Sequence, residues 1–422
     1  MLKTLSVIGK VPLMTRVLIA NPHLLFVKPS INAFMCAYMS KFRVHMVGKN
    51  LIVHSHLPPL NSRAYSRFVD RHLIAMTPGP SHAQIGVTNL CPQNCDYCYN
   101  KNRQGRVMDT EAIIRVARDL RDMGVVWLGL TGGEPLLNKD LVRIVQSVSE
   151  DCAVKLFTTG CTLTPRLAVD LKSAGLFSVS VSLDHWDAQV HDARRKYNGA
   201  FKEALKAIDT FRNLGGMDVG VSAVLTPDMI RRDQAEEFLL FLKGLGIHEA
   251  WLSEVKPTTE AFWDDRLVIT EEDRLKMVRL QDRWNSDGGM TVNYLGHFEG
   301  KECFGCNAGN KMVYVDAFGE VSPCVFAPMS FGNLHDRDVS SIFSEMRGFF
   351  PSDSKCFVNK NYRVFQKYAD GRKVFERAGS LSIMNEVDFG ERSAFFKKYY
   401  GTRMHRNGNG VKTIPGRIGE QA

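Results

Sequence analysis

Between residues 82 and 257 short apolar runs and amphipathic stretches take turns along the chain. Runs at 82–90, 125–130, 153–158, 177–184, 217–225 and 249–255 have the length and composition of strands. Between them, 109–123, 140–150, 164–174, 199–214 and 233–244 carry apolar residues at helical spacing. Asp109 precedes the first helix, Glu111 sits in its opening turn and Gly124 ends it, which fits capping at both termini. Successive strand–helix units predict an α/β fold of parallel strands joined by right-handed crossovers. Periodicity alone does not separate an open sheet from a barrel. Beyond Lys256-Pro257, residues 258–290 read as a loop and a charged helix (Thr270–Trp284). Alternating apolar residues on either side of Gly319 predict a hairpin over 311–324, and a short helix follows near 339–346. After 360 the chain is basic and aromatic, consistent with a helix or two packing back on the fold. His405–Ala422, rich in Gly, Asn and basic residues, is expected to be disordered.

Residues 1–75 have a different pattern. Leu2, Leu5, Ile8, Leu13, Val17, Leu18, Leu24, Leu25 and Phe26 alternate with lysines and arginines, and Pro12, Pro22 and Pro29 interrupt the run. No uncharged apolar stretch approaches the ~18 residues that span a bilayer. A cleavable signal peptide does not fit either, because no apolar core leads to a small-residue cleavage site. Two readings remain: an interfacial helix lying on anionic lipid, or an amphipathic cap closing the bottom of the fold. Nucleic acid is disfavoured, since aromatic and glycine interleaving is sparse. Leu57–Pro80, with Pro58-Pro59 and Pro78-Gly-Pro80, reads as a connector.

Composition changes the picture in two places. At 422 residues the chain has room for more than one domain, and 44% apolar with 23% charged residues is ordinary for a soluble protein. The net charge of +9 is local: residues 1–69 hold nine basic residues and no acid, and the remainder is balanced. The ten cysteines are clustered rather than spread, as in a reducing, cytoplasmic compartment. Cys36, Cys152 and Cys161 read as small buried hydrophobes.

The first cluster is Cys91-Pro-Gln-Asn-Cys95-Asp-Tyr-Cys98, directly after the first strand. Thiolate is the soft donor that iron–sulfur clusters take, and a four-iron cube needs four ligands. Three are supplied locally, so one iron is left for a ligand from outside the protein. A zinc knuckle would want a nearby fourth Cys or His, and a disulfide scaffold fits poorly after a strand. CX3CX2C with aromatic Tyr97 before the third cysteine resembles the radical SAM superfamily. That resemblance implies a partial (β/α)6 TIM-like barrel and a [4Fe–4S] cluster on Cys91, Cys95 and Cys98. It also implies S-adenosylmethionine on the open iron, cleaved to a 5′-deoxyadenosyl radical with an electron from a flavodoxin- or ferredoxin-type reductant.

Other blocks follow the same resemblance, each at a strand's C-terminal end, where sites in such folds gather. Leu130-Thr-Gly-Gly-Glu-Pro135 matches the family's GGEP, so Gly132, Gly133 and Glu134 are expected at the amino group of S-adenosylmethionine. Ser182-Leu-Asp184 with His191-Asp192 and Arg195 looks like the family's SxD…HDxxR block. It assigns Ser182 and Arg195 to the ribose and carboxylate, the latter suited to a guanidinium fork. Arg194 leaves that register open by one, and Asp184 reads either as a helix cap or as a functional group. Thr159 and Lys196 depart from the family's usual Asn and Gly. Trp251 reads as core.

The second cysteine group is Cys303-Phe-Gly-Cys306, Cys324 at the far foot of the hairpin, and Cys356. With Phe331-Gly-Asn-Leu334 it resembles the SPASM/twitch extension of radical SAM enzymes, which implies one auxiliary iron–sulfur cluster on these four cysteines. Zinc is the structural alternative, since CX2C with two distant cysteines is also zinc spacing. The domain reading is therefore 1–80 N-terminal segment, 81–260 barrel, 261–360 auxiliary-cluster domain and 361–422 C-terminal extension. The expected function is hydrogen abstraction from a substrate, with no catalytic side chain assigned. The basic, apolar N-terminus tilts the substrate toward a lipid or terpenoid, and peripheral contact at the inner face of a membrane goes with it. A maturase of a ribosomal peptide or protein is the alternative, and a non-catalytic iron–sulfur or zinc protein the second alternative.

Overall fold

The computed structural model describes residues 17–101, 103–287, 289–369 and 374–401. Its strands are β1 (His45–Val47), β2 (Asn50–Ile52), β3 (His82–Gly86), β4 (Trp127–Thr131), β5 (Ala153–Thr158), β6 (Ser178–Ser182), β7 (Asp218–Leu225), β8 (Glu249–Glu254), β9 (Thr291–Tyr294), β10 (Met312–Val315) and β11 (Val321–Ser322). β1 and β2 pair as a separate hairpin. The other nine form one sheet in the order β11-β10-β3-β4-β5-β6-β7-β8-β9. All its pairings are parallel except β10 with β11. The six expected strands are β3 to β8. The helices Thr110–Met123, Leu141–Gln146, Pro165–Ser173, Ala200–Leu214 and Gln234–Gly244 lie between them. This is the partial barrel, extended by one strand at one edge and by the hairpin at the other.

Side chains alternate across a strand, and here the two faces have opposite chemistry. Leu128, Leu130, Val154, Leu156, Val179, Val181, Val219 and Val221 belong to the main core with the helices. Their alternates, Lys155, Phe157, Ser178, Ser180, Ser182, Asp218, Ser222, Trp251 and Ser253, face the barrel interior. The interior is therefore polar and aromatic, built to receive something other than more aliphatic core.

Residues 17–75 fold as a cap across the N-terminal ends of the strands. Ile31, Met35, Tyr38, Phe42, Leu51 and Leu57 share a core with Phe304, Phe395 and Phe396, and the helix Pro29–Met39 packs on the C-terminal helix Ala394–Tyr400. The segment 54–56 plugs the mouth. The Ser55 amide donates to Glu249 Oε2 at 2.9 Å, Trp127 Nε1 donates to the Ser55 carbonyl at 2.7 Å, and Lys155 Nζ donates to Ser55 Oγ. Of the two sequence-based readings, the closing cap is what the described part of the segment forms. Residues 1–16 and 405–422 lie outside the described residues.

The hairpin is attached by two means. β10 pairs with β3 from Met312 opposite His82 to Val315 opposite Ile85. Beside it Arg103, just past the cysteine loop, donates to Asp316 Oδ2 and Ser322 Oγ, both at 3.1 Å, with Tyr314 under its guanidinium at 4.9 Å. Both charged side chains are 1% exposed. Removing one partner strands a buried charge, so Arg103→Ala should lower stability by about 3–5 kcal/mol. Denaturant unfolding should show it as an earlier midpoint, whereas an unchanged midpoint would mean that the pair is dispensable.

Candidate active site

The C-terminal ends of β3 to β8 open into a cavity of about 510 Å³, within the range of ligand sites, ~300–1,000 Å³. Cys91, Cys95 and Cys98 form one wall. The loop is held from three sides: the Asn94 amide donates to the Arg195 carbonyl at 3.0 Å, Asn100 Nδ2 to Asn89 Oδ1 at 2.6 Å, and Tyr97 OH to Asp184. Cys91 is exposed, Cys98 half-buried and Cys95 buried, and loading a cluster, which takes thiolates, releases protons there.

Gly132 and Gly133 also line the cavity. A Cβ would meet the Thr88 carbonyl oxygen at 2.3 Å on Gly132 and that of Leu90 at 2.1 Å on Gly133. Only glycines let the end of β4 press against the segment that leads into the cysteine loop. Glu134, by contrast, is absent from the cavity wall. Its carboxylate accepts from Leu136 N (3.0 Å), Thr158 Oγ1 (2.6 Å), Thr159 N (2.6 Å) and Thr159 Oγ1. It braces the end of β5, and Thr159 is one of its donors. Ser182 lies on the wall at the end of β6.

Arg194 and Arg195 have different surroundings. Arg194 bonds the carbonyls of Asp184 (3.2 Å) and Val224 (2.6 Å), while Arg195 reaches the cavity. Arg195 Nη2 pairs with Asp184 Oδ2 at 2.8 Å, and its Nε is buried with no partner among the described residues. An orphan guanidinium donor at a cavity wall suits an anionic ligand group. Asp184 is fully buried. Burial opposes its charge, but Arg195, Arg194 and the bonds it accepts outweigh that and hold the carboxyl at about 2. It is a positioning residue for Arg195 and Tyr97, which resolves its two readings. Lys196 adopts a left-handed conformation (φ 50°), and its Nζ pairs with Asp96 of the cysteine loop at 2.5 Å.

The opposite wall carries Cys306, Cys324 and Cys356, with burial pushing the thiols of Cys324 to about 11 and Cys356 to about 12. Cys303 is not with them, which corrects its place in the expected ligand set. Gly305 turns the chain at φ +72°, pressed so close to the Asp353 carbonyl oxygen that a Cβ would sit 2.3 Å from it. The turn sends Cys306 toward the cavity and Cys303, 3% exposed, into the cap core beside Phe304 and Phe395. Among the described residues no three His, Cys, Asp or Glu side chains converge tightly enough to share a single metal ion. In a cube each thiolate binds a different iron, which sets the sulfurs further apart than around one zinc.

Between the walls lie groups that sequence reading missed. Lys256 Nζ pairs with Glu254 Oε1 at 2.6 Å and Glu299 Oε2 at 2.7 Å. The floor is His56 from the cap, stacked on Trp251 (4.9 Å) and Phe298 (4.8 Å). Trp251 is buried as expected of core, yet it faces the cavity. No motif marks these residues. The one signal for Glu254 and Lys256 is their position at the end of β8.

Two family models match the chain, one over each cysteine group. A profile describing the Radical SAM superfamily matches residues 85–242, and one for an iron–sulfur cluster-binding domain, SPASM, matches 306–358, which begins at Cys306 and omits Cys303. The chain is 27% identical over 278 residues to mycofactocin maturase MftC of Mycolicibacterium smegmatis, covering 62% of this chain and 67% of that protein. It is 26% identical over 328 residues to the PqqA peptide cyclase of Bradyrhizobium diazoefficiens, covering 74% and 80%. The solved structure of Streptococcus suis SuiB bound to precursor peptide SuiA superposes with a TM-score of 0.54 at 16% identity, over 72% of this chain and 76% of that one. That likeness is one of fold.

Reconstituted Cys303→Ala should keep its full iron content. Cys306→Ala, Cys324→Ala and Cys356→Ala should each lose up to about four irons per chain. Loss of a cluster in Cys303→Ala would restore it as a ligand.

Proposed function

We propose that this chain, which belongs to the radical SAM superfamily and carries a SPASM iron–sulfur extension, is an enzyme that abstracts hydrogen from a peptide or protein side chain and passes the remaining electron to its second cluster. The observation that carries this reading is the single cavity with one cysteine triad on each wall. The residues present fit the groups: three soft donors on each wall, glycines that allow close approach, and an unpartnered guanidinium N–H for a carboxylate. Cys91, Cys95 and Cys98 hold the first cluster, Ser182 and Arg195 with the backbone at Gly132 and Gly133 hold S-adenosylmethionine, and Cys306, Cys324 and Cys356 hold the second. Bound there, these cofactors supply reductive cleavage of S-adenosylmethionine and, from it, hydrogen-atom abstraction.

The protein's part is to orient and exclude. Asp184 fixes Arg195 and Tyr97 against the loop. Glu134 locks β4 to β5 behind the glycines. His56, Trp251 and Phe298 close the floor and keep water from the reacting centre. Glu254 and Lys256 give the cavity polar handholds, which suit amide and side-chain groups better than a lipid tail. The reason for a lipid substrate also weakens, because most apolar side chains of residues 27–75 are spent on the cap core. Modification of a peptide, the kind of substrate named for the relative PqqA peptide cyclase, is the closer chemistry. A low-potential flavodoxin- or ferredoxin-type protein is the proposed reductant.

With holoenzyme, dithionite and extracts of source cells grown on deuterated medium, deuterium should appear in 5′-deoxyadenosine from the peptide fraction and not from the chloroform–methanol fraction. Transfer from the lipid fraction alone would overturn the substrate class. Failure of Cys91→Ala to abolish 5′-deoxyadenosine would overturn the enzyme reading.

The proposal includes peripheral contact with anionic membrane. Ile19, Leu25 and Phe26 are 74–76% exposed in a stretch whose charges are all basic, and the nearest acid, Asp70, is answered by His23 at 2.7 Å. Co-sedimentation with phosphatidylserine vesicles should fall at least several-fold in the triple variant Ile19→Ser/Leu25→Ser/Phe26→Ser, as apolar burial adds to charge attraction. Equal sedimentation of variant and parent would remove this part.

A further inference from the structure

We infer that the Glu299 carboxylate is the fourth protein ligand of the auxiliary cluster, on the iron that Cys306, Cys324 and Cys356 leave open. This rests on the two-cluster reading above. A four-iron cube with three thiolates lacks one ligand, and the thiol that spacing offered, Cys303, points into the cap. Glu299 follows the short helix Leu295–Phe298 that continues β9, and it lines the same cavity. It lies close enough to Cys306, Cys324 and Cys356 for its charge to act on all three thiols.

The other groups nearby are less suited. Lys256 is a charged ammonium with no lone pair to give. Glu254 gives Oε1 to Lys256 and to Asn359 Nδ2 at 3.4 Å, and although its Oε2 has no partner among the described residues, the carboxylate whose charge acts on the three thiols is Glu299. Glu299 is the carboxylate left near the thiols, and it is already braced: Lys256, 1% exposed and clamped by Glu254, holds Oε2 at 2.7 Å. A ligating carboxylate is normally fixed by an outer hydrogen-bond donor in this way. Lys256 also offsets part of the negative charge that a carboxylate would add to a cluster already bearing three thiolates. A single oxygen donor among thiolates would also mark one iron as different from the other three.

The test uses the full chain with Cys91→Ala/Cys95→Ala/Cys98→Ala, so that only the auxiliary cluster remains. Mössbauer spectra of enriched iron should show about four irons per chain, one of them in a distinct oxygen-ligated site. Adding Glu299→Gln should abolish that site and leave a three-iron cluster, whereas adding Glu254→Gln should keep it. Without any change at Glu299, protein labelled with carbon-13 glutamate should show carbon-13 coupling to the reduced cluster by electron–nuclear double resonance. Four irons with an unaltered spectrum in Glu299→Gln, or no coupling in the labelled protein, would overturn the ligand assignment alone. No iron in the parent would overturn the auxiliary-cluster reading and this one with it.

Discussion

The parallel pairing of β10 with β3 is the constraint on which the site depends. It carries a segment from beyond residue 300 to the edge of the barrel, in register with the strand that leads into the first cysteine loop. The first cysteine loop leaves the C-terminal end of β3, whereas Cys306 and Cys324 flank the feet of the β10–β11 hairpin at the N-terminal end of β10, and the pairing brings these two groups, over 200 residues apart in sequence, to one cavity. Four backbone pairings set the register, and the buried Arg103–Asp316 pair guards it. A slip of one residue would turn Val313 and Val315 out of the core and move Asp316 away from Arg103.

The site is otherwise a set of buried charges arranged so that none stands alone. Glu134 has four donors, Asp184 has Arg195 and Tyr97, and Lys256 has two carboxylates. Each is costly to bury and tolerable only when paired. Such groups add little net stability, but they hold donors in fixed directions before any ligand arrives. That is what a site handling a reactive radical needs, since a loose wall would let solvent or a side chain quench it.

The cap shows how one sequence pattern serves two surfaces. Its apolar residues bury Tyr38, Leu51 and Leu57 against the barrel's lower end and the C-terminal helix. His54, Ser55 and His56 pass through to the strand ends, where His56 becomes cavity floor. A few apolar side chains around Leu25 and Phe26 are left outside. An amphipathic pattern reports that a face is covered, not what covers it.

By itself the sequence determined the βα alternation, the helix caps such as Asp109 and Gly124, the iron-binding loop and the GGEP block. All of these are local: periodicity, cap chemistry and ligand spacing are written within a few consecutive residues. Tertiary structure alone decided which cysteines belong together. Cys303 and Cys306 look equivalent in a CX2C run, yet one positive-φ glycine between them sends the first into the cap and the second to the cavity. It decided the roles of Arg194 and Arg195, adjacent and alike, because only the fold shows which one Asp184 pairs with. It decided the Glu254–Lys256–Glu299 group and the His56 floor as well, since these sit together only after distant strands close the sheet. Contacts of that kind leave no trace in spacing, because burial and direction are properties of the packed chain.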